Sequence, residues 1–286
     1  MSDNILNAIN NIISFGNYDL KDYTSMYLIR INAVGEQLEY YIKDSIAGTF
    51  KTAQEQKEIE YNKVFSYLGN QNNPPDLIIK NSDAYEIKKI QRSSSAISLN
   101  SSPPKNKLLV GDKRITKACK NCEGKEWKEK DLFYVIGNVV NKKIKYLFFI
   151  QGICYAADYE VYKKISDPIK ESVNEVINSN GFENVKTNEL GKVKRVDPLG
   201  ITDLRIRGMW HIQNPIKVYA NICNIIDNNK FHLFVIMGKD KYISYPKTDR
   251  EKIETNNKIS ITDVKIKDPN NPAKLIDIKL IIFKER

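Results

Sequence analysis

The sequence predicts an α/β core over residues 1–180 and a β-rich part over 181–286 that can pack on the same core. Three observations lead there. Apolar residues recur at helical spacing near the N-terminus. Between 77 and 155 they gather instead into strand-length runs closed by turn residues. From about 185 the texture changes to short strands and turns, with no linker rich enough in Gly or Pro to mark a clean boundary.

Ile5, Leu6, Ile9, Ile12 and Ile13 give a short amphipathic helix over 4–14. Val34, Leu38, Tyr41, Ile42 and Ile46 give a better one over 34–48, stopped by Gly48. Residues 51–67 are polar and read as helix ending near Gly69. Gln71-Asn-Asn-Pro-Pro75 is a turn. Leu77–Lys80 and Ala84–Ile90, separated by Asn81-Ser82-Asp83, read as a β-hairpin. Residues 93–104 hold six serines and read as a flexible loop. A helix is expected near Lys113–Lys125, strands over Leu132–Val140 and Ile144–Tyr155, and a helix over 169–179 with Pro168 early in it. Later strands are expected at 202–207, 216–225, 231–237, 259–266 and 275–284.

Composition excludes several function classes. The 286-residue chain is 41% hydrophobic and 28% charged, the balance of a globular protein large enough to fold without staples. Its longest apolar stretches, such as Tyr146 to Ile150, are too short to span a bilayer. Met1-Ser2-Asp3-Asn4 does not open a signal peptide, so a cytoplasmic location is expected. With only His211 and His232, a three-His zinc site is impossible. No nucleotide-cradling glycine loop and no G-x-S-x-G occurs. Cys119-Lys-Asn-Cys122 has metal or redox spacing but lacks a second pair, so reduced thiols are the expected state. Lys+Arg exceeds Asp+Glu by 45 to 35, a net charge of +10, which suits a polyanionic partner.

The informative segment is Pro75-Asp76 followed by Glu86-Ile87-Lys88. In a strand, positions 86 and 88 project to one face and Ile87 to the other. Asp76 joins them only if opposed residue numbers have an even sum. A three-residue turn at 81–83 pairs Lys80 with Ala84 and sets Asp76 opposite Lys88, whereas a two-residue turn sends Asp76 to the wrong face. Two carboxylates suit a hard cation such as Mg2+, and a lysine beside it can orient or deprotonate water and offset charge in phosphodiester hydrolysis. An ordinary edge hairpin with solvated charges carries the same letters.

Pro75-Asp76 with Glu86-Ile87-Lys88 is similar to the PD-(D/E)xK motif of restriction-endonuclease-like nucleases. A longer likeness runs through Phe65–Asp76, Glu86–Ile90 and Leu99–Ser102. Ala47–Phe50, Thr187–Gly191, Val196–Leu199, Arg205–Trp210 and Asn271–Leu275 extend it. Together they resemble NgoPII-type type II restriction endonucleases over nearly the whole chain. The resemblance implies a restriction-endonuclease-like core, a mixed central sheet flanked by helices. It further implies Mg2+-dependent cleavage of double-stranded DNA at GGCC by a homodimer, with a cognate DNA cytosine methyltransferase as functional partner. Asp76 and Glu86 would then be metal ligands and Lys88 a catalytic residue. Members of the fold often add a glutamate from the first core helix. Glu36 and Glu39 are candidates, and Glu39 is preferred because it borders the apolar face.

Guanine N7 and O6 are best met by arginine or lysine forks. Arg205 and Arg207 share a strand face, and Arg92, Asn100, Ser101, Ser102 and Lys105 follow the catalytic strand. Each can equally meet phosphates. Lys107, Lys113, Arg114 and Lys117 fit phosphate contacts or solvated charge. Met209 and Trp210 fit the core, and Asp83 a turn. A non-catalytic DNA-binding protein and a structure-specific repair nuclease of the same fold remain as alternatives, separated by turnover and by cleavage products.

Overall fold

The structure, a computed structural model, describes residues 3–21, 34–70, 73–124, 126–225 and 230–285, with only the backbone described at 34–36 and 70. It opens with α1 (Ile5–Phe15), α2 (Val34–Ala47) and α3 (Gln54–Val64). Asn4 caps α1 through its side chain. Gly48, at φ +67°, ends α2 in the left-handed region that favours glycine. Leu38, Tyr41, Ile42 and Ile46 are fully buried, the stripe expected for α2, while the Val34 side chain lies outside the described residues.

The polar helix expected over 51–67 stops at Val64, and Phe65–Asn70 is strand β1. It pairs with β2 (Asn73–Ile79), so Pro74 and Pro75, expected in a turn, lie in a strand. β3 (Ala84–Ile90) completes the hairpin. β4 (Ile97–Ser98) pairs far along the chain with β11 (His211–Ile212). The serine-rich segment is therefore stapled down, with Ile97 and Leu99 buried, where a flexible loop was expected. β5 (Lys107–Leu109) pairs with β6 (Glu129–Val140). The helix expected near Lys113–Lys125 is one turn, α4 (Lys117–Lys120), capped by Thr116.

β6 and β7 (Lys143–Gln151) form a hairpin through Asn141 and Lys142, whose φ of 51° and 65° fit a two-residue turn. β7 ends before Tyr155, because Gly152–Tyr155 is helical turn α5. Gln151 closes the strand with its side chain, accepting from Gly238 and donating to Asp131. α6 (Tyr159–Ser179) begins ten residues before the expected start, so Pro168 lies inside it. Tyr162 holds the early turns by packing edge-on to Trp210 and bonding the Ala157 N–H.

β8 (Glu183–Asn184), β9 (Gly191–Lys194) and β10 (Leu204–Ile206) form a small antiparallel sheet. The strand expected over 216–225 is absent there. Pro215–Val218 is helical turn α7, with Asn214 capping it and Pro215 in its first turn, a start signal read too lightly. β12 (His232–Gly238), helices α8 (Lys239–Ser244) and α9 (Lys247–Glu254), β13 (Ile259–Asp268) and β14 (Asn271–Lys284) finish the chain.

The central sheet runs β1-β2-β3-β6-β7-β12-β14-β13, with β5 beside β6. It is mixed, because β3–β6 and β7–β12 are parallel and the other pairs antiparallel. One face packs on α1 and α2 through Tyr85, Ile87, Phe133 and Val135. The other, with Ile78, Tyr134, Ile136 and Phe148, is covered by the loops after β3 and by Tyr155 and Tyr219. The expected boundary at 180 falls within this sheet: 183–212 forms small satellite sheets, and 232–284 supplies three central strands.

A buried polar knot fixes the β2–β3 hairpin to this frame. Asp83, in the turn before β3, accepts from Lys241 (2.5 Å) and from the Tyr245 hydroxyl (2.8 Å). Lys241 also meets Asp131 at 2.9 Å. Removing one partner of a buried pair strands the other charge. Lys241→Ala should therefore lower the unfolding free energy by about 3 kcal/mol. Adding Asp83→Asn should restore part of that loss. Urea titrations of both variants check this, and a fully additive pair would contradict it.

Candidate active site

The hairpin register builds the site. Leu77 faces Tyr85 and Ile78 faces Ala84, so paired numbers sum to 162 rather than the expected 164. The enclosed turn is longer, residues 79–83, and Ile79 N–H donates to the Asp83 carbonyl. The sum remains even, so Asp76 shares a face with Glu86 and Lys88. Continuing the register sets Asp76 opposite Glu86 instead of Lys88. The pairing ends at Leu77, and there the Asp76 carboxylate accepts the Ile87 N–H at 2.5 Å, replacing a ladder bond. Ile87 is buried on the opposite face, as alternation requires.

Gly69 makes the approach possible. A Cβ there would lie 2.3 Å from the Pro75 carbonyl oxygen and 3.1 Å from Asp76 Cα. Any side chain at 69 would push the Asp76 backbone away.

Electrostatics set the cluster's demand. Burial, then Glu86, push the Asp76 carboxyl up to about 8, against the pull of Lys88; Glu39 pushes it further up. Burial works against charge on Lys88, but the combined attraction of Glu86, Asp76 and Glu39 outweighs it and raises the ammonium's pKa. Lys88 Nζ lies 2.6 Å from Glu86 Oε1. Glu86 Oε2 is buried with no hydrogen-bond partner among the described residues. It borders a cavity of about 20 Å³ lined also by Ser102, Lys105 and Tyr134, large enough for one water.

This donor set fits a hard divalent cation. Two crowded, desolvated carboxylates and an unused buried oxygen lack only positive charge. Among the described residues no three His, Cys, Asp or Glu side chains form a ready-made cage.

The other expected residues divide. Glu39 lies near enough to act electrostatically on both Asp76 and Lys88; the Glu36 side chain lies outside the described residues. Arg92, Asn100 and Ser101 are exposed beyond β3. Lys105, expected on an exposed loop, is buried. Its Nζ donates to Ser102 Oγ (2.6 Å) and pairs with Asp112 (3.0 Å), while Tyr134 OH bonds both its N–H and its carbonyl. Met209, expected in the core, is exposed, and Trp210 is half-buried against Tyr162. Cys119 is buried and Cys122 half-buried, both as free thiols. Arg205 and Arg207 reach the same carboxylate, Glu189. Glu189 escaped the residue-level reading, although it lies within the Thr187–Gly191 stretch of the resemblance.

The family model described as NgoPII restriction endonuclease matches residues 3–267. The Type II restriction enzyme NgoPII of Neisseria gonorrhoeae is 46% identical over 255 residues, covering 89% of this chain and 90% of the relative. No solved structure matches. A mixed sheet carrying Asp76, Glu86 and Lys88 on one face is the frame such a nuclease needs, and the chain belongs to the NgoPII restriction endonuclease family, the site-specific deoxyribonucleases of restriction systems.

Proposed function

We propose that the chain hydrolyses phosphodiester bonds of double-stranded DNA at GGCC with Mg2+. It works in the cytoplasm as a homodimer, beside a cytosine methyltransferase of the same system. One observation carries the chemistry: two desolvated carboxylates facing each other, one with an unpartnered oxygen, beside a lysine.

Asp76 and Glu86 would hold the ion. Magnesium, when bound, neutralises both carboxylates and polarises the phosphate. Lys88, kept an ammonium by its three acidic neighbours, orients the attacking water and offsets charge on the phosphorane-like transition state. This favours an electrostatic role over general-base chemistry. Glu39 adds negative charge from α2 and helps hold Lys88 in place. Arg92, Asn100, Ser101 and Ser102 follow β3 closely enough to meet DNA near the cut, while the buried Lys105 supports that segment from beneath through Ser102 and Asp112. Arg205 and Arg207 supply the forks for guanine. A two-fold dimer on a palindrome needs each subunit to specify only two base pairs.

The direct test is a digest of unmethylated plasmid with magnesium, its ends sequenced. Discrete fragments ending within GGCC, abolished by EDTA, are expected. Cuts at junctions or ends, or no cuts, would overturn the reading.

Lys88→Ala should leave GGCC binding largely intact while cleavage falls at least roughly a hundredfold. Gel-shift and single-turnover assays on one preparation check this; a parallel fall in binding would make Lys88 a phosphate anchor.

At least one of Arg205→Ala and Arg207→Ala should cost about 1–3 kcal/mol of discrimination between GGCC and one-base variants. Uniform loss on every sequence would move the search for base readers to Arg92 and the 100–105 segment.

A further inference from the structure

A cleft of about 980 Å³ opens between the 105–114 segment, α6 and the 184–190 segment. Lys105 lines both this cleft and the small cavity bordered by Glu86, so the cleft adjoins the catalytic hairpin. Lys113, Arg114 and Lys186 line it and form no ion pair among the described residues. Lys170, on α6, donates to the Thr187 carbonyl at 2.5 Å and ties the third wall to the second. The lining therefore presents cations suited to phosphates.

Three carboxylates line it as well: Asp112, which pairs with Lys105, Asp167, and Glu189. An acid there weakens attraction for a polyanion. The contacts of Glu189 explain its presence. Arg205 Nε and Nη2 donate to Glu189 Oε2 and Oε1 at 2.9 and 2.6 Å, and Arg207 Nε lies 2.6 Å from Oε1. The carboxylate is 14% exposed, whereas the two arginines are 53% and 55% exposed. Backbone bonds fix it further: Glu189 N–H donates to Thr187 Oγ1, and Leu190 N–H to the Ile206 carbonyl on the arginine strand. Arg207 engages Glu189 through Nε, which leaves its Nη1/Nη2 edge for a two-acceptor partner such as guanine N7/O6. An arginine held in place loses less rotamer freedom on binding.

We propose that this cleft seats the DNA backbone next to the scissile phosphate and that Glu189 is a positioning residue for specificity, holding Arg205 and Arg207 as a preformed pair of forks. The proposal rests on the reading of the chain as a GGCC endonuclease that uses these arginines. Removing Glu189 then has effects of opposite sign. Non-specific attraction gains from the lost negative charge, while discrimination suffers from the lost alignment.

The experiment compares wild type, Glu189→Gln, Glu189→Asp and the Lys113→Ala/Arg114→Ala/Lys186→Ala triple variant, all full length. Affinities are measured for a GGCC duplex, one-base variants and an unrelated duplex across a salt series, with calcium replacing magnesium to suppress cutting. Thermal melts accompany each variant. If wild type cuts at another sequence, that part of the parent reading has failed, and the series is run on the sequence recovered at its ends. Glu189→Gln should lower discrimination by about tenfold while unrelated-duplex affinity holds or rises roughly twofold, and Glu189→Asp should recover part of the discrimination. The triple variant should weaken all duplexes alike and reduce the salt slope by about 2–3. Equal gains on every duplex with Glu189→Gln would make Glu189 a counter-ion only. Equal losses with a lowered melting temperature would make it a structural clamp. Either result overturns the positioning role, and an unchanged salt slope in the triple variant overturns the cleft as the DNA seat.

Discussion

Two carboxylates face each other where β2 parts from β3, and both are shielded from water. Like charges opposed across a strand pair already destabilise by several tenths of a kcal/mol, and desolvation deepens the conflict. Asp76 answers it by holding a proton more tightly, and by accepting the Ile87 N–H that the parting strands would leave unpaired. Glu86 answers with one oxygen on Lys88 and leaves the other unused. The cluster is stable enough to fold yet still favours added positive charge. That imbalance is what a bound cation at this hairpin would relieve.

Such a site requires that the hairpin not relax. Two buried networks prevent it. Asp83, Lys241, Tyr245 and Asp131 bind the turn to α8 and to the start of β6. Glu123 accepts from Ser66 and from the Asn81 N–H, and meets Lys130, which in turn donates to the Ser82 carbonyl. Buried ionic groups are weak sources of net stability but can hold one arrangement against others. Here they hold the turn whose length decides the face on which Asp76 emerges.

The basic excess is divided by structure. In the segment after β3, Lys105, Lys107 and Lys130 pair with acids, while Lys113 and Arg114 line the cleft. Of the acids in that cleft, Asp112 pairs with Lys105, whereas Glu189 is shared by two arginines.

Strand alternation alone put Glu86 and Lys88 together and Ile87 in the core. The parity rule stated what Asp76 needed in order to join them, and helical spacing marked α1 and α2. Composition excluded a three-His zinc site. These features rest on contacts between near neighbours. The exact hairpin register depended on a five-residue turn held by Lys241, some 158 residues away. The burial of Lys105 depended on Tyr134, and the stapling of the serine-rich segment on His211–Ile212. Asn214-Pro215 carries a helix-start signal in the sequence, and the structure shows the helical turn that it opens. Glu189 carried no signal of its own, because a lone glutamate on a loop acquires a role only when a neighbouring strand brings two arginines to it. Local periodicity fixes which face a residue takes, but partners that converge from distant segments are chosen by packing, and only the folded chain brings them within reach.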